Sequence, residues 1–144
     1  VLLLEDHRVV AVGSRTQVKA DAFADKFAIG HRHDSYQKLV NDPDVDGVYV
    51  ATHHPMHMRD TLLALNAGKP VLCEKPFTIN PAQAVELITL AKEKNLALME
   101  AIWTRFLPHI AQVREIVDSG VLGTIHTLIA DHGQYLPRDE HPWP

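Results

Sequence analysis

Four short stretches carry side chains that could do chemistry. Ser14 and Arg15 set a hydroxyl beside a guanidinium, a pair that can bind an anionic oxygen through charge-assisted hydrogen bonds. Thr52, His53, His54, Pro55, Met56 and His57 join a hydroxyl to three imidazoles. Cys73, Glu74, Lys75 and Pro76 put a lysine between a carboxylate and a proline, whose ring restricts the backbone before it. A lysine held in that way can grip a hydroxyl and stabilise a developing alkoxide. Glu100 to Phe106 adds Trp103, Arg105 and Phe106, an apolar wall with one cation. Each has a plain alternative: a solvated turn with a surface arginine, a helix cap, a surface turn, and a core tryptophan with a rim arginine.

The elements around these stretches give them a common address. Apolar runs at 9–12, 48–51, 71–73 and 96–99 predict strands apolar on both faces, as in a covered parallel sheet. Helical patterns lie between them. The clearest covers 82–94, with Asn80 as N-cap, Pro81 in the first turn, and Ala84, Leu87, Ile88 and Ala91 on one face. A second opens at Pro55, turns Met58, Leu62 and Leu65 inward and stops at Gly68. A third spans 108–119, with Ile110, Val113 and Val117 on one side. Weaker helices are expected over 18–27 and 35–41. Strand alternating with helix predicts an α/β, doubly wound parallel sheet. The alternation from Ile125 to Asp131 predicts a half-exposed strand opening a second domain.

All four chemical stretches then fall at strand carboxyl ends, where open α/β sheets bind ligands. At the end of the second strand of a dinucleotide-binding sheet, an acidic residue would bind a free ribose 2′-hydroxyl. Ser14 and Arg15 suit a 2′-phosphate instead, so NADP is expected over NAD, with NAD still open. His53 and His57 are four apart, as some zinc ligands are, but Pro55 lies between them and no glutamate follows the first. No metal is expected.

Composition narrows the field. The chain has 144 residues, 46% hydrophobic and 22% charged, as ordinary globular domains have. A net charge of −4 with no basic run argues against nucleic acid as a partner. No apolar stretch approaches the roughly 18 residues of a membrane helix. The single cysteine, Cys73, points to a reducing, cytoplasmic setting. The abrupt apolar start and the loop-like end at 139–144 are expected to be cuts within a longer protein.

In order and spacing these stretches resemble the glucose–fructose oxidoreductase / inositol dehydrogenase / MocA family. The likeness rests on the region 10–15, on Ala51-Thr52 with Pro55 and His57, on Val71 to Pro76, on Met99 to Phe106 and on Leu122-Gly123-Thr124-Ile125. The run Met99 to Phe106 is similar to the branch of dimeric dihydrodiol dehydrogenase and NADP-dependent xylose dehydrogenase. The resemblance implies hydride transfer between NADP(H) and a hydroxyl-bearing carbon of a sugar or trans-dihydrodiol. It makes Lys75 the active-site lysine. It assigns Ser14 and Arg15 to the 2′-phosphate; Thr52, His53 and His57 to the dinucleotide; Glu74 and Pro76 to the cofactor side of the cleft; and Trp103 and Arg105 to the nicotinamide end. It implies a partial Rossmann domain over 1–122, lacking its first strand and glycine-rich loop. Residues 123–144 then begin a substrate and dimerisation domain with a large open sheet, which in relatives supplies the acid/base residue. The resemblance also implies a homodimer or higher homo-oligomer through that sheet, and the chain alone is expected to be inactive. A dinucleotide-binding sensor or scaffold without chemistry is the alternative function.

Overall fold

The computed structural model describes residues 7–133. The chain forms two compact units, Val1–Ile102 and Trp103–Pro144. In the first, strands β1 (Ala11–Gly13), β2 (His31–His33), β3 (Val48–Val50), β4 (Val71–Cys73) and β5 (Leu98–Glu100) alternate with helices α1 (Gln17–Phe27), α2 (Tyr36–Val40), α3 (His57–Asn66) and α4 (Pro81–Glu93). Every strand pair is parallel. This is the expected α/β Rossmann-like fold.

The ladder is broken in one place. β1 pairs with β2, and β3, β4 and β5 pair in that order, but β1 and β3 share no ladder. The classic doubly wound order, 3-2-1-4-5-6, sets the first strand between the second and the fourth. No strand among the described residues fills that place.

Helix starts follow their caps. Thr16, Ser35 and Asn80 accept the N–H of Lys19, Lys38 and Gln83 at 3.4, 3.3 and 3.0 Å. Pro81 occupies the first turn of α4, where its missing N–H costs nothing. The helix expected from Pro55 begins as a 3-10 turn, His54–Met56, and becomes α-helical only at His57. It ends at Asn66, and Gly68 takes the positive φ of 76° that closes it while Lys69 N–H donates to the Ala64 carbonyl.

The core lies between α3, α4 and one face of the three-stranded sheet. Val50, Ala64, Leu65, Val71, Cys73 and Leu87 are among its fully buried members. Strands apolar on both faces were expected to be covered on both, which holds only in part. The register aligns Tyr49, Leu72 and Met99 in one row facing away from that core. Tyr49 and Met99 are 48% and 49% exposed.

Three further expectations are corrected. The apolar runs at 9–12 and 96–99 each start two residues before the strands they announce, because ladder bonds rather than hydropathy set the ends. β2, His31-Arg32-His33, has no apolar run at all; its backbone is a strand because Ala11, Val12 and Gly13 pair with it. The segment from Ile125 to Asp131 forms no strand and is exposed throughout, since no neighbouring strand among the described residues offers it a ladder.

In the second unit a 3-10 turn, Trp103–Phe106, leads into α5 (Pro108–Asp118). The expected apolar side forms, but Val113 and Val117 are exposed and α5 buries no residue fully. No helix among the described residues is long and apolar enough to cross a membrane.

Candidate active site

The carboxyl end of β4 is where the structure concentrates polar ties. Glu74 comes directly after the strand, and its N–H donates to the Val50 carbonyl at 2.9 Å. Its carboxylate is held twice: Oε1 accepts the Tyr49 hydroxyl, and Oε2 accepts the Lys75 N–H at 3.0 Å. The Tyr49 hydroxyl, ahead of smaller contributions including Lys75, holds the Glu74 carboxyl below the usual range. Burial and then the Glu74 carboxylate push the Tyr49 phenol up to about 12.

Two more ties fix the turn beyond Glu74. The Lys75–Pro76 peptide within it is cis. His57, fully buried at the start of α3, lies between two carbonyl oxygens, that of Pro76 at 2.8 Å from Nδ1 and that of Thr52 at 2.9 Å from Nε2. One imidazole therefore clips the loop after β3 to the turn after β4, and both its nitrogens face backbone. Glu100, at the end of β5, accepts the Phe77 N–H at 2.8 Å, and Ala101 N–H donates to the Cys73 carbonyl at 2.7 Å. The turn is thus tied by residues of β3, α3 and β5, while Lys75 itself is exposed and its ammonium has no ion-pair partner among the described residues.

The structure brings Thr52, His57, Glu74, Lys75 and Pro76 together. His53 is exposed at the head of the 3-10 turn, where its carbonyl accepts the Met56 N–H at 2.7 Å. Ser14 and Arg15 stand at the end of β1, in the other sheet; Ser14 N–H donates to the His33 carbonyl at 3.0 Å and Arg15 is exposed. Trp103 and Arg105 belong to the second unit, both exposed, with the Arg105 carbonyl accepting from Arg114 at 3.2 Å. Sequence reasoning did not single out Tyr49 or Glu100 as positioning residues. A tyrosine in a β run and a glutamate at a strand end were the only signals.

The family model described as "Oxidoreductase family, NAD-binding Rossmann fold" matches residues 3–102. The chain is 42% identical over 136 residues to mouse trans-1,2-dihydrobenzene-1,2-diol dehydrogenase, covering 92% of this chain and 41% of that protein. It is 47% identical over 129 residues to D-xylose 1-dehydrogenase (NADP(+)) of Hypocrea jecorina, covering 87% of this chain and 33% of that protein. Among solved structures it resembles KijD10, a 3-ketoreductase of Actinomadura kijaniata in complex with NADP, with a TM-score of 0.76 and 36% identity over 85% of this chain and 39% of the other. The chain thus spans about two fifths or less of the length of these relatives. It belongs to the glucose–fructose oxidoreductase / inositol dehydrogenase / MocA family of oxidoreductases, with its NAD-binding Rossmann fold.

Proposed function

We propose that this family member carries the dinucleotide-binding part of an NADP-dependent dehydrogenase acting on a sugar or trans-dihydrodiol. The observation that carries the reading is the Glu74–Lys75–Pro76 turn, pinned from three neighbouring elements and presenting one exposed ammonium at a strand carboxyl end. The residues present fit a dinucleotide. Thr52 Oγ1 is buried without a partner among the described residues at the end of β3, a position for a ligand hydrogen bond. Arg15 is exposed after β1 with no ion pair among the described residues, placed for a 2′-phosphate with Ser14. The mouse relative is named for a dihydrodiol and the Hypocrea relative for xylose and NADP(+).

When bound, NADP(H) supplies or accepts the hydride. The protein's work is placement and charge. Lys75 donates to the substrate hydroxyl oxygen and stabilises the negative charge that develops as the hydroxyl proton leaves. Glu74 holds the Lys75 backbone, and Tyr49 holds Glu74. His57 keeps the Thr52 and Pro76 loops in register, so that Thr52, His53 and Pro76 border the dinucleotide. The acid/base residue is assigned to a substrate domain whose first residues are 123–144, the Rossmann part being 1–122. That domain would also form the homo-oligomer. The buried lone cysteine, Cys73, supports a cytoplasmic setting.

The test is turnover by the full-length protein. Reduced-nicotinamide absorbance is followed with NADP+ and NAD+ against aldoses, inositols and trans-dihydrodiols. Reduction of NADP+ with one of them is expected. Tight NADPH binding with no turnover on any of them would replace the enzyme with a dinucleotide sensor.

A further inference from the structure

The second strand carries a group of side chains that the reaction does not use. β2 reads His31-Arg32-His33, and the two-residue period of a strand puts both imidazoles on one side. There they meet Asp42, just past the end of α2. His31 Nδ1 lies 2.7 Å and His33 Nε2 2.8 Å from the same oxygen, Asp42 Oδ2. The three donor atoms all lie within 4.8 Å of one another.

The surroundings of this trio are those of metal ligands. Ligating histidines commonly turn their second nitrogen to a carboxylate, and ligating carboxylates are themselves hydrogen-bonded. His31 Nε2 faces Asp44 Oδ2 at 3.6 Å. Asp42 Oδ1, the oxygen not shared by the histidines, accepts the Asp44 N–H at 2.9 Å. The loop is braced from outside by Lys69, whose ammonium donates to the carbonyls of Asp42 and Val45 at 3.3 and 2.5 Å. Arg32, between the histidines, points to the other side and pairs with Asp25 at 2.7 Å, so it does not oppose a cation here.

Access is graded. The Asp42 side chain is 5% exposed, that of His33 21% and that of His31 43%. The carboxylate is the floor and His31 the open edge, which leaves a path for an ion and a position for water. Zinc binds nitrogen and oxygen ligands at about 2.0–2.2 Å in a tetrahedron, so its ligand atoms sit roughly 3.3 Å apart. The two nitrogen–oxygen separations need to open by about half an ångström while the two nitrogens, within 4.8 Å of each other, settle to the same spacing, movements the half-exposed His31 ring can make.

We infer that His31, His33 and Asp42 form a binding site for a divalent transition-metal ion, zinc by donor type, with Asp44 behind His31 and water completing the shell. Two imidazoles and one carboxylate suit zinc, and its close relatives cobalt and nickel, better than calcium or magnesium, which take oxygen ligands. The ion would clamp β2 to the loop between α2 and β3. Its role is structural, distinct from the strand ends that serve the reaction, and it is independent of the proposed activity.

The experiment uses the full-length protein, stripped with a chelator and titrated with zinc chloride against a chromophoric competitor. One zinc is expected per chain, with a rise in melting temperature because the ion binds only the folded arrangement. Cobalt(II) in its place is expected to give the visible absorption of a four-coordinate nitrogen and oxygen site. The chain has 10 histidines, so the site is located by substitution. His31→Gln, at the open edge, is expected to fold and to weaken zinc by at least about tenfold, and Asp44→Asn to weaken it by roughly tenfold as loss of an outer partner does. No zinc bound, or zinc bound equally by wild type and His31→Gln, would overturn the inference and leave the trio a hydrogen-bonded clasp.

Discussion

Tyr49→Phe removes one oxygen and leaves the packing in place, so it isolates a single tie of the Lys75 turn. The lost bond runs from the Tyr49 hydroxyl to Glu74 Oε1, and Glu74 Oε2 in turn accepts the Lys75 N–H. A hydrogen bond to a charged acceptor is worth about 1.5–3 kcal/mol when shielded. Tyr49 is 48% exposed, so water competes for both partners and screens the charge. The expected loss of stability is therefore about 1 kcal/mol. Its pH dependence has two edges. The raised phenol gives a contribution that is full below the usual value of 10.0 and is lost as pH climbs through about 12. The depressed carboxyl gives one that is full above its usual 4.5 and is lost as pH falls through the lowered folded value. Urea unfolding of wild type and Tyr49→Phe should thus differ by a constant amount around neutrality, shrinking in both acid and alkali. Ultraviolet titration should show a late Tyr49 phenolate, near pH 12, in the wild type that the variant lacks. Turnover should fall while NADPH affinity holds, because the tie acts on Lys75. Equal stabilities at neutral pH, or a late phenolate that survives the substitution, would refute the assignment.

Arg15→Ala is expected to weaken NADPH about tenfold, the loss of one charge-assisted contact at an exposed site, while NADH is little changed; equal losses in a fluorescence titration would remove Arg15 from the 2′-phosphate. Lys75→Met should cut turnover by roughly 10²–10³-fold and leave NADPH binding within a few-fold, as loss of one donor to a developing negative charge does; unchanged steady-state rates would take Lys75 out of the mechanism. Leu87→Ala, at 0% exposure between α4 and the sheet, should cost about 2–5 kcal/mol in denaturant unfolding. A loss well under 1 kcal/mol there would mean that α4 does not close this core.

The sequence announced what local chemistry decides and hid what long-range pairing decides. Asn80-Pro81 marks the start of α4 because a cap and a first-turn proline act within one helical turn. β4 was legible because Val71, Leu72 and Cys73 are apolar and central. β2 was invisible because His31, Arg32 and His33 carry no apolar signal, and only the register with β1 makes them a strand. The reverse error occurred at Ile125 to Asp131, where an alternating pattern has no partner strand among the described residues to complete it. The site divides in the same way. Glu74-Lys75-Pro76 can be read from its place after a strand. Tyr49 and Glu100 reach it across 25 and 23 residues, spacings that no local pattern encodes.

Those two residues also explain why the turn sits where a parallel sheet can control it. Register aligns Val50 with Cys73 and Cys73 with Glu100, so β3, β4 and β5 end level. Residues next to those ends then arrive at the turn from both sides: Tyr49 from β3 and Glu100 from β5. His57 closes it from the helix after β3. A one-residue slip of β3 against β4 would carry Tyr49 to the other face of the sheet and bury its hydroxyl in the Leu65 and Leu87 core without a partner. The same apolar pattern that fixes the core register therefore fixes the carboxylate beside Lys75. Placement of the Lys75 turn is inherited from hydrophobic packing, with hydrogen bonds making the final adjustment.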